Sequence, residues 1–269
     1  MRIASLTRLL LAAGAGALTL QAAPAGAQGF AAYITPPRFE LRLNAGEASR
    51  QVVEIQHAGL QKGSYRLYTN DWSLRADQSV DFSDALAPDS CRPWVAIERR
   101  ELTIEPGARY RYRFEITPAP GTPARECRFA LMIEGLDTTR VQGDLNFPVG
   151  GRIGVIVYAS VGDAAPQLAI TGTRVVTVQG QPTAVVDVRN SGNAHGRLEG
   201  FVNGTDALGT RVEMAPADLP ILPGETRAVA ILPVPENGKP APELRFPLTV
   251  KGQLEWGKNR LPLDARFAP

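Results

Sequence analysis

Val141-Gln142-Gly143-Asp144-Leu145-Asn146-Phe147-Pro148-Val149-Gly150-Gly151-Arg152-Ile153-Gly154-Val155-Ile156-Val157 alternates almost without fault. Its odd positions are apolar or Gly, and its even positions up to Arg152 are polar, Pro or Gly. A period of two is the mark of a strand with one apolar face. The run is roughly three times the usual strand length. Pro148 cannot donate a ladder hydrogen bond, which places the run at a sheet edge. A long apolar edge invites aggregation, so its presence implies that the edge is meant to pair with something. Up to Val149 the opposite face is polar, and this half reads as the edge that is lent. Past Gly150-Gly151, a bulge or close backbone approach, Ile156 and Tyr158 make both faces apolar. That half reads as buried in the protein itself.

Outward from this run the pattern stays β. Alternating or β-branched segments fall at 50–56, 64–72, 102–104, 109–116, 127–134, 167–178, 183–189, 197–202, 226–233, 244–256 and 260–267. Between them lie turn clusters such as Glu105-Pro106-Gly107, Asn190-Ser191-Gly192-Asn193 and Leu222-Pro223-Gly224. Short strands at this spacing, without a 3.6-residue period, predict all-β sandwiches of the immunoglobulin type. Val52-Val53-Glu54-Ile55-Gln56-His57-Ala58-Gly59 is echoed by Val185-Val186-Asp187-Val188-Arg189-Asn190-Ser191-Gly192, and each is followed by a Pro-Gly corner opening a further strand. Two tandem domains follow, 28–162 and 163–269, divided at the Gly, Asp, Ala and Pro stretch 162–166.

Residues 1–27 read as a cleaved secretory signal peptide: Arg2 and Arg8, an apolar run from Leu9 to Leu20, then Ala25-Gly26-Ala27. The run is short for a membrane span, and no later stretch approaches one. Without Arg2 and Arg8 the basic residues equal the 27 acidic ones, so the exported chain is formally neutral. It carries no basic block suited to nucleic acid or anionic membranes.

Two cysteines in an exported chain favour a Cys91–Cys127 disulfide, contributing about 4 kcal/mol in the chain-entropy treatment. The alternatives are a reactive thiol or a metal site, and the latter would need further Cys or His where only His57 and His195 exist. Both histidines read as turn or surface residues. There is no nucleophile elbow, zinc-binding helix or phosphate-cradling loop, and the reading is non-enzymatic, with no cofactor or metal. Trp72 and Trp94 suit sandwich cores better than exposed stacking sites.

With these elements in order, the first module resembles the N-terminal domain of the PapD-like periplasmic chaperones of fimbrial assembly. The resemblance runs through Ile34-Thr35-Pro36-Pro37-Arg38, Ala45-Gly46, the 52–59 strand, Trp72, Trp94, Leu102-Thr103-Ile104-Glu105-Pro106-Gly107, the 127–134 strand and the long final strand. The second module resembles the family's C-terminal domain through Asn190-Ser191-Gly192-Asn193-Ala194-His195 and Leu222-Pro223-Gly224. The resemblance implies a periplasmic chaperone that lends its edge strand to a fimbrial or pilus-type subunit and passes it to an outer-membrane usher. Carried over by position, Val141, Leu145, Phe147 and Val149 would enter the subunit. Arg38 and Arg152 would anchor the subunit's C-terminal carboxylate, with Arg42 a rival for Arg38; Arg152 stands where the family has Lys. Gly143 interrupts the donor face, and many relatives lack the disulfide. The rival functions are an immunoglobulin-like structural or accessory subunit of a surface fibre, and a periplasmic peptide- or glycan-binding module.

Overall fold

The computed structural model describes residues 30–136, 150–235 and 240–269. The leader expected at 1–27 and the proposed donor residues Val141, Leu145, Phe147 and Val149 lie outside the described residues. Among its described residues the N-terminal half holds ten strands: β1 (Ala32–Thr35), β2 (Arg38–Leu43), β3 (Ser49–His57), β4 (Gly63–Leu74), β5 (Val80–Ser83), β6 (Val95–Ile97), β7 (Glu101–Ile104), β8 (Arg109–Ile116), β9 (Arg125–Gly135) and β10 (Arg152–Val161). One sheet runs β1-β3-β8-β6; the other runs β2-β10-β9-β4-β5, with β7 also on β4. Alternation sends Val53, Ile55, Tyr112 and Phe114 from the first sheet against Leu67, Phe129, Leu131, Val155 and Val157 from the second. Each such large apolar side chain contributes about 1.5–3 kcal/mol by leaving water.

Among its described residues the C-terminal half has seven strands: β11 (Leu168–Val178), β12 (Gln181–Asn190), β13 (Val202–Thr205), β14 (Arg211–Pro216), β15 (Thr226–Pro233), β16 (Leu248–Trp256) and β17 (Asn259–Phe267). They form one ladder, β11-β12-β15-β14-β13-β16-β17. Its first and last strands lie against each other, so the sheet folds around a second core of Val186, Val188, Met214, Val229, Val250 and Phe267. The molecule is thus two β-sandwiches in tandem.

The repeated sequence is a repeated structure. β3 pairs with β8 and β12 with β15, both antiparallel. Gly107 and Gly224 turn the two Pro-Gly corners at φ 70° and 77°, a region open to Gly. At each strand end one amide closes onto its corner: His57 N–H donates to Ala108 C=O at 3.0 Å, and Asn190 N–H to Glu225 C=O at 2.9 Å. His57 is buried, in contrast to the turn or surface position expected of it. It continues the inward phase of Val53 and Ile55, and its ring meets the Tyr65 hydroxyl and the Gln61 carbonyl, each at 2.6 Å. Asn190 continues the phase of Val186 and Val188 in the same way.

Cys91 and Cys127 are disulfide-bonded, with Cα atoms 5.9 Å apart, and the bridge ties β9 to the 3-10 turn Arg92–Trp94. Trp72 is buried, and Trp94 packs half-buried on the first core. The segment expected as a strand at 197–202 makes only single bridges, Gly196 with Ile221 and Glu199 with Glu255. Gly200 at φ 93° breaks the extension, and β13 starts at Val202. The strand expected from 244 begins at Leu248, after Pro247. Among the described residues no helix is long and apolar enough to cross a membrane.

Candidate functional site

The first strand changes sheets at Thr35-Pro36-Pro37. β1 pairs with β3, whereas β2 pairs in parallel with β10, from Arg38 opposite Ile156 to Leu43 opposite Val161. Neither Pro36 nor Pro37 has an N–H to continue a ladder. β9 lines β10 along its full length, Arg152 to Val161. From Arg152 to Val155, therefore, β10 has β9 on one side and no strand on the other among the described residues. The Gly151 carbonyl accepts from Gly135 N–H at 2.9 Å, so odd residues point their backbone groups at β9. Ile156 N–H meets Pro37 C=O on the opposite side. By the same alternation, Arg152 and Gly154 turn N–H and C=O toward the open edge.

The side chains of β10 divide between two environments. Val155, Val157, Ala159 and Val161 face the first core. On the other face, Ile156 and Tyr158 join Trp72, Ala130, Met132, Tyr68, Phe82 and, from the second domain, Leu222. The expectation that both faces turn apolar past Gly151 is met here. Gly154 makes room for Phe82, whose ring atoms stand 2.5 Å from where a Cβ would sit. Arg152 is paired in register with Glu134; burial pushes the nearby Tyr68 phenol up, and the influence of Arg152 only partly offsets this.

Below this patch the two domains meet in a charged cleft. The loop 190–196 is bound to β9: Glu126 N–H donates to Asn193 C=O at 2.8 Å, and Asn193 Nδ2 donates to Ala124 C=O at 2.7 Å. The Glu126 carboxylate, fully buried, accepts from His195 N–H at 3.1 Å and meets His195 Nδ1 at 2.5 Å. The imidazole stacks on Tyr158, centroids 3.7 Å apart and 24° from parallel, and Glu40 Oε1 is 3.6 Å from Nε2. Burial holds the Tyr158 phenol up at about 12. His195, expected in an exposed turn, is instead a bolt between the domains.

Arg38 lies on the cleft wall, 2.9 Å from Glu40 and 3.8 Å from Asp218. Arg197 comes from the second domain to the same two carboxylates, at 2.6 Å from Asp218 and 3.7 Å from Glu40. Arg152 shares the sheet face of Arg38, but Arg38 is level with Ile156; four residues of strand put the two roughly 13 Å apart. Arg42 lines a neighbouring cavity of ≈ 620 Å³ with Trp256 and Lys258, and among the described residues no carboxylate pairs with it. Glu40, Glu126, Arg197 and Asp218 were not singled out by sequence reasoning. They come from four segments, and no local pattern links them.

No family model matches the chain, and no curated protein matches it. Among solved structures the recurrent similarity is to fimbrial chaperones. The class 5 fimbriae chaperone CfaA is 13% identical, with TM-score 0.46 over 88% of this chain and 99% of its own. The YadV chaperone is 11% identical, with TM-score 0.48 over 88% and 99%. The CsuC–CsuE chaperone–tip adhesion subunit pre-assembly complex of Acinetobacter baumannii is 14% identical to this chain, with TM-score 0.45 over 88% and 98%.

Proposed function

We propose that the protein is a periplasmic, non-enzymatic chaperone of PapD type for fimbrial or pilus-type subunits. The observation that carries this reading is the open edge of β10. The strand switch at Thr35-Pro36-Pro37 leaves Arg152 and Gly154 with backbone donors and acceptors directed outward, immediately after the alternating run that ends at Val149. A subunit strand adding there gains a ladder from the backbone of the lent strand. Leu145, Phe147 and Val149, with Val141 at the far end, then fill the subunit's unfinished core. Arg38, in the cleft, holds the subunit's terminal carboxylate, and Arg152, roughly 13 Å along the same sheet face at the base of the lent strand, is a further cation beside the captured chain. Release to the outer-membrane usher requires no nucleotide, because a replacement strand from the next subunit can exchange for the lent one.

The test is capture from periplasm. The wild-type protein is purified with its bound proteins and compared with Phe147→Asp and Arg152→Ala. Bound subunits should be lost from both folded variants. Undiminished capture by the two together would refute strand donation, and recovery of this chain itself in purified fibres would favour an accessory subunit.

A further inference from the structure

We propose that Arg38 and Arg197, one from each domain, form the carboxylate-binding site of the cleft, and that Asp218 occupies this site in the free protein as a displaceable competitor. This rests on the reading of carboxylate capture above and names its second cation and its gate.

The two guanidiniums already share one carboxylate. Asp218 presents Oδ1 to Arg197 at 2.6 Å and Oδ2 to Arg38 at 3.8 Å, so a single carboxylate spans the domains. The two sides of this contact differ sharply in burial. The Arg197 side chain is 12% exposed, and its Nε is buried without a hydrogen bond. Asp218 is 71% exposed and lies in the irregular stretch after β14. Stripping a buried guanidinium of its carboxylate is costly, whereas releasing an exposed aspartate to water is not. The site therefore favours exchange of one carboxylate for another over vacancy.

Charge balance points the same way. Arg38 and Arg197 face Glu40 and Asp218, two cations to two anions. A ligand carboxylate added without displacement would leave three anions on two cations, and repulsion opposes that. Replacement of Asp218 keeps the balance. The ligand class follows from the surroundings. A cavity of ≈ 380 Å³ adjoins the pair, lined by Phe201, Ala215 and Pro216 as well as Glu199, and Phe201 is exposed. This suits a peptide C-terminus whose last side chain is apolar.

The test uses the full exported protein and N-acetylphenylalanine, with its amide as the uncharged twin, followed by NMR on the arginine Nε–Hε resonances. The acid should shift Arg38 and Arg197 saturably and the amide should not. Asp218→Asn should tighten the acid roughly two- to fivefold, the range available to an exposed ion pair. Arg197→Ala should weaken it at least about tenfold, the order expected for removal of a charged hydrogen-bond partner, and Arg197→Lys should recover part of the loss if the fold is kept. Arg50→Ala, on the distant sheet with Arg50 86% exposed, should change nothing. Acid binding reported by Arg38 and Arg152 with Arg197 silent, or unaltered by Asp218→Asn, overturns the inference and leaves carboxylate capture standing. Acid that moves no cleft arginine in either the wild type or Asp218→Asn overturns both.

Discussion

Asn190→Ala removes a side chain that organises the loop carrying His195 and Arg197. Asn190 is fully buried and makes four side-chain hydrogen bonds. Its Nδ2 donates to Ala194 C=O and Ile221 C=O, both at 2.8 Å. Its Oδ1 accepts from Gln167 N–H at 3.1 Å and Gly192 N–H at 2.9 Å. The Ile221 carbonyl keeps a second partner, Gly196 N–H, so three backbone groups lose theirs. At about 1 kcal/mol each the expected loss is about 3 kcal/mol. Because the protein has two domains, a single unfolding curve would blend their transitions. The appropriate assay is native-state hydrogen exchange at Val186 and Val229, at the centre of the second core. The account predicts roughly a hundredfold loss of protection there, with the N-terminal core little changed. Asn190→Asp keeps the acceptors but aims a carboxylate at two carbonyls, and should be at least as damaging. A change below about fivefold for Asn190→Ala would refute the reasoning, since it would mean the loop holds its shape without this side chain.

Three further outcomes are expected. Tyr158 sits with its phenol raised to about 12 by burial, above the ordinary value near 10; its contribution is whole below pH 10 and disappears as pH climbs through 12. Wild type should therefore lose about 2 kcal/mol more than Tyr158→Phe between those limits, measured by denaturant unfolding at each pH. Replacing both Cys91 and Cys127 by Ala opens a loop with a sequence separation of 36 and should cost about 4 kcal/mol, read from exchange in β9; a loss confined to the second domain would contradict it. Gly192→Ala brings a Cβ within 2.3 Å of Ala165 O and 2.5 Å of Gln167 N. The linker backbone must move, and a melting temperature within about 2 °C of wild type would disprove the tight approach.

The fold was legible where one periodicity ruled a whole segment. Strands β3, β8, β12 and β15 and the Pro-Gly corners come through because alternation and turn chemistry agree there. The same alternation already placed His57 in phase with Val53 and Ile55, yet a lone histidine beside Ala58-Gly59 reads as a turn residue until Tyr65 is seen opposite it. Arg197 to Val202 was misread because apolar alternation says nothing about Gly200, whose backbone ends the extension. In the candidate site, Arg38 and Arg152 were visible only through the family resemblance, which assigns the two anchors by position. Arg197 and Asp218 were not, since their meaning arises only when the second domain docks on the first. Glu126 lies just outside the strand expected at 127–134, and its burial under His195 is a product of that docking.

The central claim is that the open edge of β10 receives a partner strand, and amide exchange tests it most directly. In the free protein the Arg152 and Gly154 amides face the edge, while those of Ile153 and Val155 face β9. On forming the complex with a captured subunit, the Arg152 and Gly154 amides should become protected by a hundredfold or more, at least ~2.7 kcal/mol of added protection. Unchanged exchange at these two amides in a verified complex would contradict strand addition at β10.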